Sequence, residues 1–322
     1  MTYSRIVATG RYLPERIMTN FDLEKIVDTS DEWIRTRTGV ERRHIVAEDQ
    51  TTSDMCVEAA KIAIKDAGIK VSDIDMVITG TTSPDLIFPN ISTLIQHRLG
   101  IPACAAFSIE AACTGFIYAL TTADKFIKAG ETKCALVLGA ECITKLIDWT
   151  DRNTCVLFGD GAGAAIVMPS DEPGLISTSL GADGQYKDLL YYPVGASHQL
   201  AKAGTDEVAI QMTGNEVFKV AVKTLGNIAQ ETLDKAGVDK SELDWLIPHQ
   251  ANIRIIQATA KRLGLPMEKV ILTVQDHGNT SAASIPMALD VGIRDGRLKK
   301  GQLMLLEAFG GGFTWGSVLM RL

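Results

Sequence analysis

The chain carries one passage twice. Ala67 to Ile78 reads AGIKVSDIDMVI and Ala236 to Ile247 reads AGVDKSELDWLI, an offset of 169 residues (236 − 67) in a chain of 322. Downstream, RLGIP at Arg98 to Pro102 answers RLGLP at Arg262 to Pro266, and Cys113-Thr114 answers Asn279-Thr280. A short helix-to-strand connector can recur by chance, but these matches keep their order at offsets of 164 to 169. A repeat of half the chain predicts two copies of one folding unit. Packed about a pseudo-dyad, such copies bring equivalent loops together at the axis, so Cys113 and Asn279 are expected to share one pocket.

A hydrophobic content of 46% over this length suits a large buried core and excludes a disordered or fibrous chain. There is no run of about 18 apolar residues, and the opening MTYSRIVATGRYLPE lacks the basic-then-apolar layout of a signal peptide. Cytoplasmic residence without membrane contact is the expectation. All six cysteines (Cys56, Cys104, Cys113, Cys134, Cys142, Cys155) fall in the first half, with no C-x-x-C, which suits neither a disulfide framework nor a zinc site, so no metal is expected. A net charge of −7 argues against nucleic acid, whose phosphates require a broad basic surface.

Strand and helix patterns alternate. Strands are expected at Met76 to Thr79, Cys104 to Ile109, Cys134 to Gly139 and Ala164 to Met168, with helices at Met55 to Asp66, Ile91 to Leu99 and Thr114 to Lys128. In the second half the expectation is helix Glu216 to Lys235, strand Trp245 to Ile247, helix Ile253 to Leu263 and strand Val270 to Val274. Helix Ser281 to Arg294, strand Gln302 to Glu307 and a closing strand Phe313 to Leu319 complete it. Short apolar strands joined by helices predict α/β sheets covered on both faces, and two such units stacked give a five-layer α-β-α-β-α sandwich. The polar stretch Pro169 to Pro173 is the natural seam, giving halves 1–172 and 173–322.

Cys113, in EAACTGF, sits between a strand and the start of a helix. Unpaired N–H groups and the positive end of the helix dipole are expected to favour its thiolate, making it a nucleophile candidate. The other cysteines suit the role of small buried hydrophobes. His249 follows the strand Trp245 to Pro248, and Asn279 lies in DHGNTSAAS; both stand at strand-to-helix junctions, where α/β folds form their pockets. His277, two residues before Asn279, competes with His249, and spacing does not separate them. Gly310-Gly311-Gly312 can offer a backbone N–H to an oxyanion or simply form a tight hairpin. GDGAGAA at Gly159 to Ala165 runs into a strand rather than a helix, so it fails as a dinucleotide fingerprint. On helix Ile253 to Leu263, Arg254, Lys261 and Arg262 share a face that is either solvated or a dock for an acidic carrier.

With Cys113 in AACTGF, PHQAN at Pro248 to Asn252, HGNTSAAS at His277 to Ser284, EAFGGGFTWG at Glu307 to Gly316 and TSDEWIRTRTG at Thr29 to Gly39, the chain resembles the β-ketoacyl-acyl carrier protein synthase III family over essentially its whole length. Thr114 departs from the alanine that many relatives carry after the cysteine, a conservative change. The resemblance implies a thiolase fold and a decarboxylating condensation of an acyl-coenzyme A primer, most simply acetyl-coenzyme A, with malonyl-acyl carrier protein. By the same resemblance Cys113 carries the acyl group, His249 and Asn279 hold the malonyl thioester oxygen, and the N–H groups of Cys113 and Gly311 form a second oxyanion hole. Trp33, Arg37 and Arg152 would hold the nucleotide end of coenzyme A, and Gly214, Phe218, Ala251 and Asn252 its pantetheine arm. Phe309 would stand near the cysteine. Gln250 and Arg254, with Lys261 and Arg262, would meet the acyl carrier protein, and Phe88 would close the acyl pocket across a homodimer interface. No cofactor is implied beyond acyl-coenzyme A as substrate.

Two other readings use the same residues. A thiolase or differently primed acyltransferase shares the fold, although a thiolase is expected to use a second cysteine near the C-terminus and none follows Cys155. A papain-like hydrolase also uses Cys, His and Asn, but its C-G-S-C-W context is absent and the duplication is left unexplained. A catalytically dead carrier-binding module is the weakest alternative, because no triad member is missing.

Overall fold

The duplication is visible as two sheets with the same wiring in the computed structural model, which describes residues 3–202 and 208–322. The first sheet runs, in spatial order, Tyr3–Tyr12, Gly161–Ser170, Ala135–Glu141, Met76–Gly80 and Ala105–Ile109. The second runs Leu175–Ala182, Thr314–Arg321, Leu303–Gly310 and Trp245–Pro248. In each, the first three strands pair antiparallel and the third and fourth pair parallel. Met76 and Trp245 open equivalent strands 169 residues apart (245 − 76), and helices Gly115–Lys128 and Ser284–Arg294 begin at the same offset (284 − 115).

Three apolar clusters separate the five layers. Helices Thr52–Ala67 and Ile91–Leu99 cover the outer face of the first sheet, where Met55, Ala59, Ile91 and Ile95 meet Val77, Leu136, Leu138 and Ile166. Between the sheets lie Gly115–Lys128 and Ser284–Arg294, whose Phe116, Ile117, Leu120, Ile285 and Leu289 pack on Ile78 and Val137 from one sheet and Leu306 and Val318 from the other. Helices Gly214–Ala236 and Ile253–Leu263 cover the far face, with Ala229, Leu233, Ile256 and Ala260 against Leu246, Leu305 and Leu319. Alternate residues of one strand thus enter different clusters, as the period of two requires.

The inner helices approach the sheets too closely for side chains. A Cβ on Gly139 would stand 2.3 Å from the carbonyl oxygen of Ala282, and one on Gly80 would stand 2.3 Å from the carbonyl carbon of Gly115. Glycine at these points lets the starts of both inner helices sit directly on the first sheet.

The expected strand Val270 to Val274 does not form. Only a single bridge joins Val270 to Leu246, and Val274–His277 is a helical turn. The reason is Gln250, whose amide donates to the carbonyls of Pro248 and Ile271 at 2.8 and 3.1 Å and accepts from the N–H groups of Thr273 and Val274 at 2.8 and 3.1 Å. One side chain thereby takes the place of a ladder. Strands Tyr3–Tyr12 and Leu175–Ala182 were hidden by their polar content. In the first of them buried hydroxyls find partners on the inner helices, Ser4 on Asp124 at 2.7 Å and Thr9 on Asp290 at 2.9 Å.

Glu307, in the strand Leu303–Gly310, is fully buried, and neither carboxyl oxygen has a hydrogen-bonding partner among the described residues. Burial pushes its carboxyl from 4.5 up to about 8, so it is a neutral acid at pH 7. A carboxyl that holds its proton more tightly when folded contributes stability in full below pH 4.5 and loses it as the pH rises to about 8. Up to about 1.4 kcal/mol per pH unit is at stake in that window. Glu307→Gln is therefore expected to melt like wild type at about pH 4 and above it at about pH 9. Identical melting curves at pH 9 would refute the buried neutral acid.

Candidate active site

A cavity of about 960 Å³ opens where the two copies meet, and Cys113, His249 and Asn279 all line it. Gly214, Phe218, Ala251, Asn252, Phe309 and Gly311 line it too, as do Trp33, Arg37 and Arg254 toward its charged side. Among the described residues no three His, Cys, Asp or Glu side chains gather as a metal-binding group, and no helix is long and apolar enough to cross a membrane.

Cys113 lies in a single 3-10 turn, Ala112–Thr114, that feeds helix Gly115–Lys128. Ala112 takes a left-handed φ of 46°, an unfavourable conformation for a residue with a Cβ, and this turn aims the cysteine at the cavity. The hairpin of the second sheet closes in from the other copy: a Cβ on Gly310 would stand 2.7 Å from the Cys113 nitrogen. Burial pushes the thiol up to about 12, against the Ser281 hydroxyl that donates to Sγ at 3.4 Å. The lowering expected from a helix start is thus outweighed by desolvation, so the thiol keeps its proton at neutral pH.

His249 follows the parallel strand Trp245–Pro248, its N–H donating to the Glu307 carbonyl at 2.8 Å. Its Nδ1 lies 2.7 Å from the Ser284 hydroxyl oxygen, which itself accepts the Gln250 N–H at 3.3 Å. With that lone pair occupied, the hydroxyl can donate its proton to Nδ1, leaving Nε2–H as the donor that can face the cavity. Burial lowers the imidazole to about 3, so it stays neutral at physiological pH. Asn279 is fixed by backbone pairing to Leu157 and Gly159, and its Oδ1 accepts the Ser281 N–H at 2.9 Å. Its amide NH₂ is left to donate. His277 is absent from the cavity wall and packs edge-on to His44 with ring centroids 6.4 Å apart, so of the two it is His249 that lines the cavity.

At the cavity mouth the guanidinium carbons of Arg37 and Arg152 lie 4.8 and 4.6 Å from the Trp33 ring centroid. Arg152 does not line the cavity itself but is tethered to the Asp28 carbonyl at 2.9 Å. Arg254 stands 5.6 Å from the Phe218 ring and is exposed. Lys261 is exposed, and Arg262 leans over Gly226 to donate to Asn227 at 2.6 Å. Gln250 is fully buried with its amide engaged by backbone, which removes it from any surface contact. Phe88 is 83% exposed, beside the exposed Leu86 and Ile87, and takes no part in this cavity.

The sequence pairing of Cys113 with Asn279 needs refinement. The left-handed residues that open the two 3-10 turns are Ala112 and Ser281, with φ of 46° and 49°, 169 residues apart (281 − 112). The backbone equivalent of Asn279 is therefore two residues before Ala112, and the position equivalent to Cys113 is Ala282. Three polar residues went unassigned by sequence reasoning: Ser281, Ser284 and Glu141. The serines stand inside HGNTSAAS, but nothing in their spacing says which hydroxyl faces which partner. Glu141, the last residue of a fully buried strand, was readable only as a charge out of place.

The family models for the 3-oxoacyl-[acyl-carrier-protein] synthase III domain and its C-terminal domain match residues 107–184 and 233–322. The chain is 57% identical over 321 residues to the β-ketoacyl-[acyl-carrier-protein] synthase III of Thioalkalivibrio sulfidiphilus, covering 100% of both chains. It is 58% identical over 319 residues to that of Xanthomonas campestris, covering 99% of this chain and 98% of that one. The crystal structure of 3-oxoacyl-[acyl-carrier-protein] synthase III from Aquifex aeolicus superposes with a TM-score of 0.93 at 48% identity, covering 99% of this chain and 100% of that one. With relatives more than half identical to it along essentially its whole length, the chain belongs to the β-ketoacyl-[acyl-carrier-protein] synthase III family.

Proposed function

We propose that this enzyme joins the acyl group of an acyl-coenzyme A primer, in the first instance acetyl-coenzyme A, to malonyl-acyl carrier protein, releasing carbon dioxide and coenzyme A and initiating fatty acid synthesis. The observation that carries the residue assignments is the convergence of Cys113, His249 and Asn279 on one cavity. Cys113 Sγ attacks the primer thioester and carries the acyl group. The Cys113 and Gly311 N–H groups receive the carbonyl oxygen of that step. His249 Nε2–H and the Asn279 amide then donate to the malonyl thioester oxygen as carbon dioxide leaves, stabilising the enolate that attacks the acyl-enzyme. Both donors are neutral, so neither gives up its proton to the enolate.

Trp33 with Arg37 and Arg152 suits an adenine and its phosphates, since a flat indole and two guanidiniums offer stacking and charge together. Gly214, Phe218, Ala251, Asn252 and Phe309 would line the pantetheine path to the sulfur. No metal or further cofactor enters this scheme, and cytoplasmic residence follows from such soluble substrates. The halves 1–172 and 173–322 act as one unit, each supplying part of the triad. Phe88, Ile87 and Leu86 form an exposed apolar loop that we assign to a homodimer contact; sedimentation as a monomer at micromolar concentration would remove that assignment.

The test is turnover: purified enzyme with acetyl-coenzyme A and malonyl-acyl carrier protein should yield 3-oxoacyl-carrier protein, with one carbon dioxide per condensation. No condensation with any of a panel of acyl-coenzyme A primers would refute the function. In the same assay Arg254→Glu, with Lys261 and Arg262 intact, should raise KM for the carrier protein about tenfold, roughly 1.4 kcal/mol, by meeting an acidic partner with like charge. An equal rise for coenzyme A would return the helix face to solvent.

A further inference from the structure

Glu141 is a fully buried carboxylate that the condensation chemistry leaves without a role. It ends the strand Ala135–Glu141. One oxygen, Oε2, is surrounded by hydroxyl donors from Thr81, Thr82 and Ser83 at 3.3, 3.0 and 2.5 Å. The other, Oε1, shares the Thr82 N–H at 3.1 Å and faces the Ser281 hydroxyl at 3.2 Å. That same hydroxyl lies 3.4 Å from Cys113 Sγ. Sulfur, hydroxyl and carboxylate are therefore in continuous hydrogen-bond contact, and the hydroxyl has one proton to offer two acceptors.

We propose that Ser281 and Glu141 form a proton relay that takes the Cys113 proton as the acyl thioester forms and returns it to the departing coenzyme A sulfur. As the Sγ–carbon bond forms, the thiol proton passes to the Ser281 oxygen while the Ser281 proton passes to Glu141 Oε1. When the bond from the acyl carbon to the coenzyme A sulfur breaks, the electron pair stays on that sulfur. The proton then comes back from Glu141 through Ser281 to neutralise it. Atoms and charge balance with coenzyme A leaving as a thiol and Glu141 again ionised. Ser281 touches the reacting sulfur; Glu141 acts through it.

Three observations support this path over others. The charge of an ionised Glu141 disfavours the Cys113 thiolate, so the pair keeps one proton and moves it between them. Burial raises the Glu141 carboxyl to about 7 despite its hydrogen bonds, which poises it to accept and return a proton near neutral pH. His249, the other basic group at the cavity, is held neutral by burial and occupied at Nδ1 by Ser284, so it is a poor acceptor. The titratable groups whose charge is felt with that of Glu141 are the thiols of Cys113, Cys142 and Cys56.

The proposal rests on Cys113 as the nucleophile, and the test separates the two. Single-turnover acetylation of Cys113 by acetyl-coenzyme A and alkylation by iodoacetamide are both followed from pH 6 to 9 in wild type, Ser281→Ala, Glu141→Gln and Glu141→Asp. Ala112 already shows that alanine tolerates the left-handed turn that Ser281 occupies, so Ser281→Ala removes the hydroxyl without rebuilding the loop. Ser281→Ala and Glu141→Gln should each slow both reactions about 100-fold at pH 7, the lower end of what acid–base assistance contributes. Their rates should climb tenfold per pH unit as free thiolate, whereas wild type levels off above the Glu141 titration. Glu141→Asp should recover part of the loss. Rates within twofold of wild type in Ser281→Ala, or a pH profile unchanged in both variants, would overturn the relay. Slowed alkylation in an enzyme that takes no acetyl group would leave the relay standing and the substrate assignment fallen.

Discussion

Cys113→Ala should leave no acyl-enzyme and no measurable condensation. Among the described residues it is the only thiol that lines the cavity, it meets the Ser281 hydroxyl there, and alanine removes the bond-forming atom without disturbing the turn. Of the other five, Cys56, Cys134, Cys142 and Cys155 are buried away from the cavity and Cys104 is half-buried elsewhere. Intact-protein mass spectrometry after incubation with acetyl-coenzyme A checks this: wild type gains one acetyl group and the variant none. A stable adduct on the variant would move the nucleophile to another residue. Folding should be little affected, because alanine keeps the Cβ and the neighbouring Thr114 keeps its contact with Thr314.

His249→Ala and Asn279→Ala should split the reaction in two. Each should still accept the acyl group on Cys113, because the side chain that hydrogen-bonds Sγ among the described residues is Ser281, yet each should lose about 3 kcal/mol of enolate stabilisation, a factor of 100 to 1,000 in carbon dioxide release. Labelled malonyl-carrier protein measures that release directly. Unchanged release in both variants would end their assignment as enolate donors. The pH dependence adds a check on the imidazole. With its value lowered by burial to about 3, His249 should keep donating as a neutral ring from pH 8 down to 5, so the decarboxylation step should show no histidine titration near 6.5. The same lowering means that folding stability owed to the neutral ring is complete above pH 6.5 and lost only as the pH falls toward 3.

Much of this was legible because the signals were local. The offset repeat anticipated two sheets alike in four of their strands, and the helices Ile91–Leu99 and Ile253–Leu263 followed from apolar spacing closed by glycines. Cys113, His249 and Asn279 stood out because reactive side chains at strand-to-helix junctions converge in folds of this class. What stayed hidden depended on long-range partners. Val270 to Val274 has a strand's composition, but Gln250 reaches across and takes its hydrogen bonds. The same burial turned Gln250 from an expected surface contact into an internal brace. The contacts of Ser281 with Cys113 and with Glu141 join residues 168 and 140 positions apart, separations at which no local pattern operates.

The bare α-carbons where the halves touch tie their sequences together. A methyl group at Gly139 would press on the Ala282 carbonyl from 2.3 Å, and the neighbouring residue along the backbone is Ser281, whose hydroxyl touches the sulfur. Any such change in one copy is therefore felt as a displaced donor in the other, and the twins, however far their surfaces diverge, are bound to vary in step along this line.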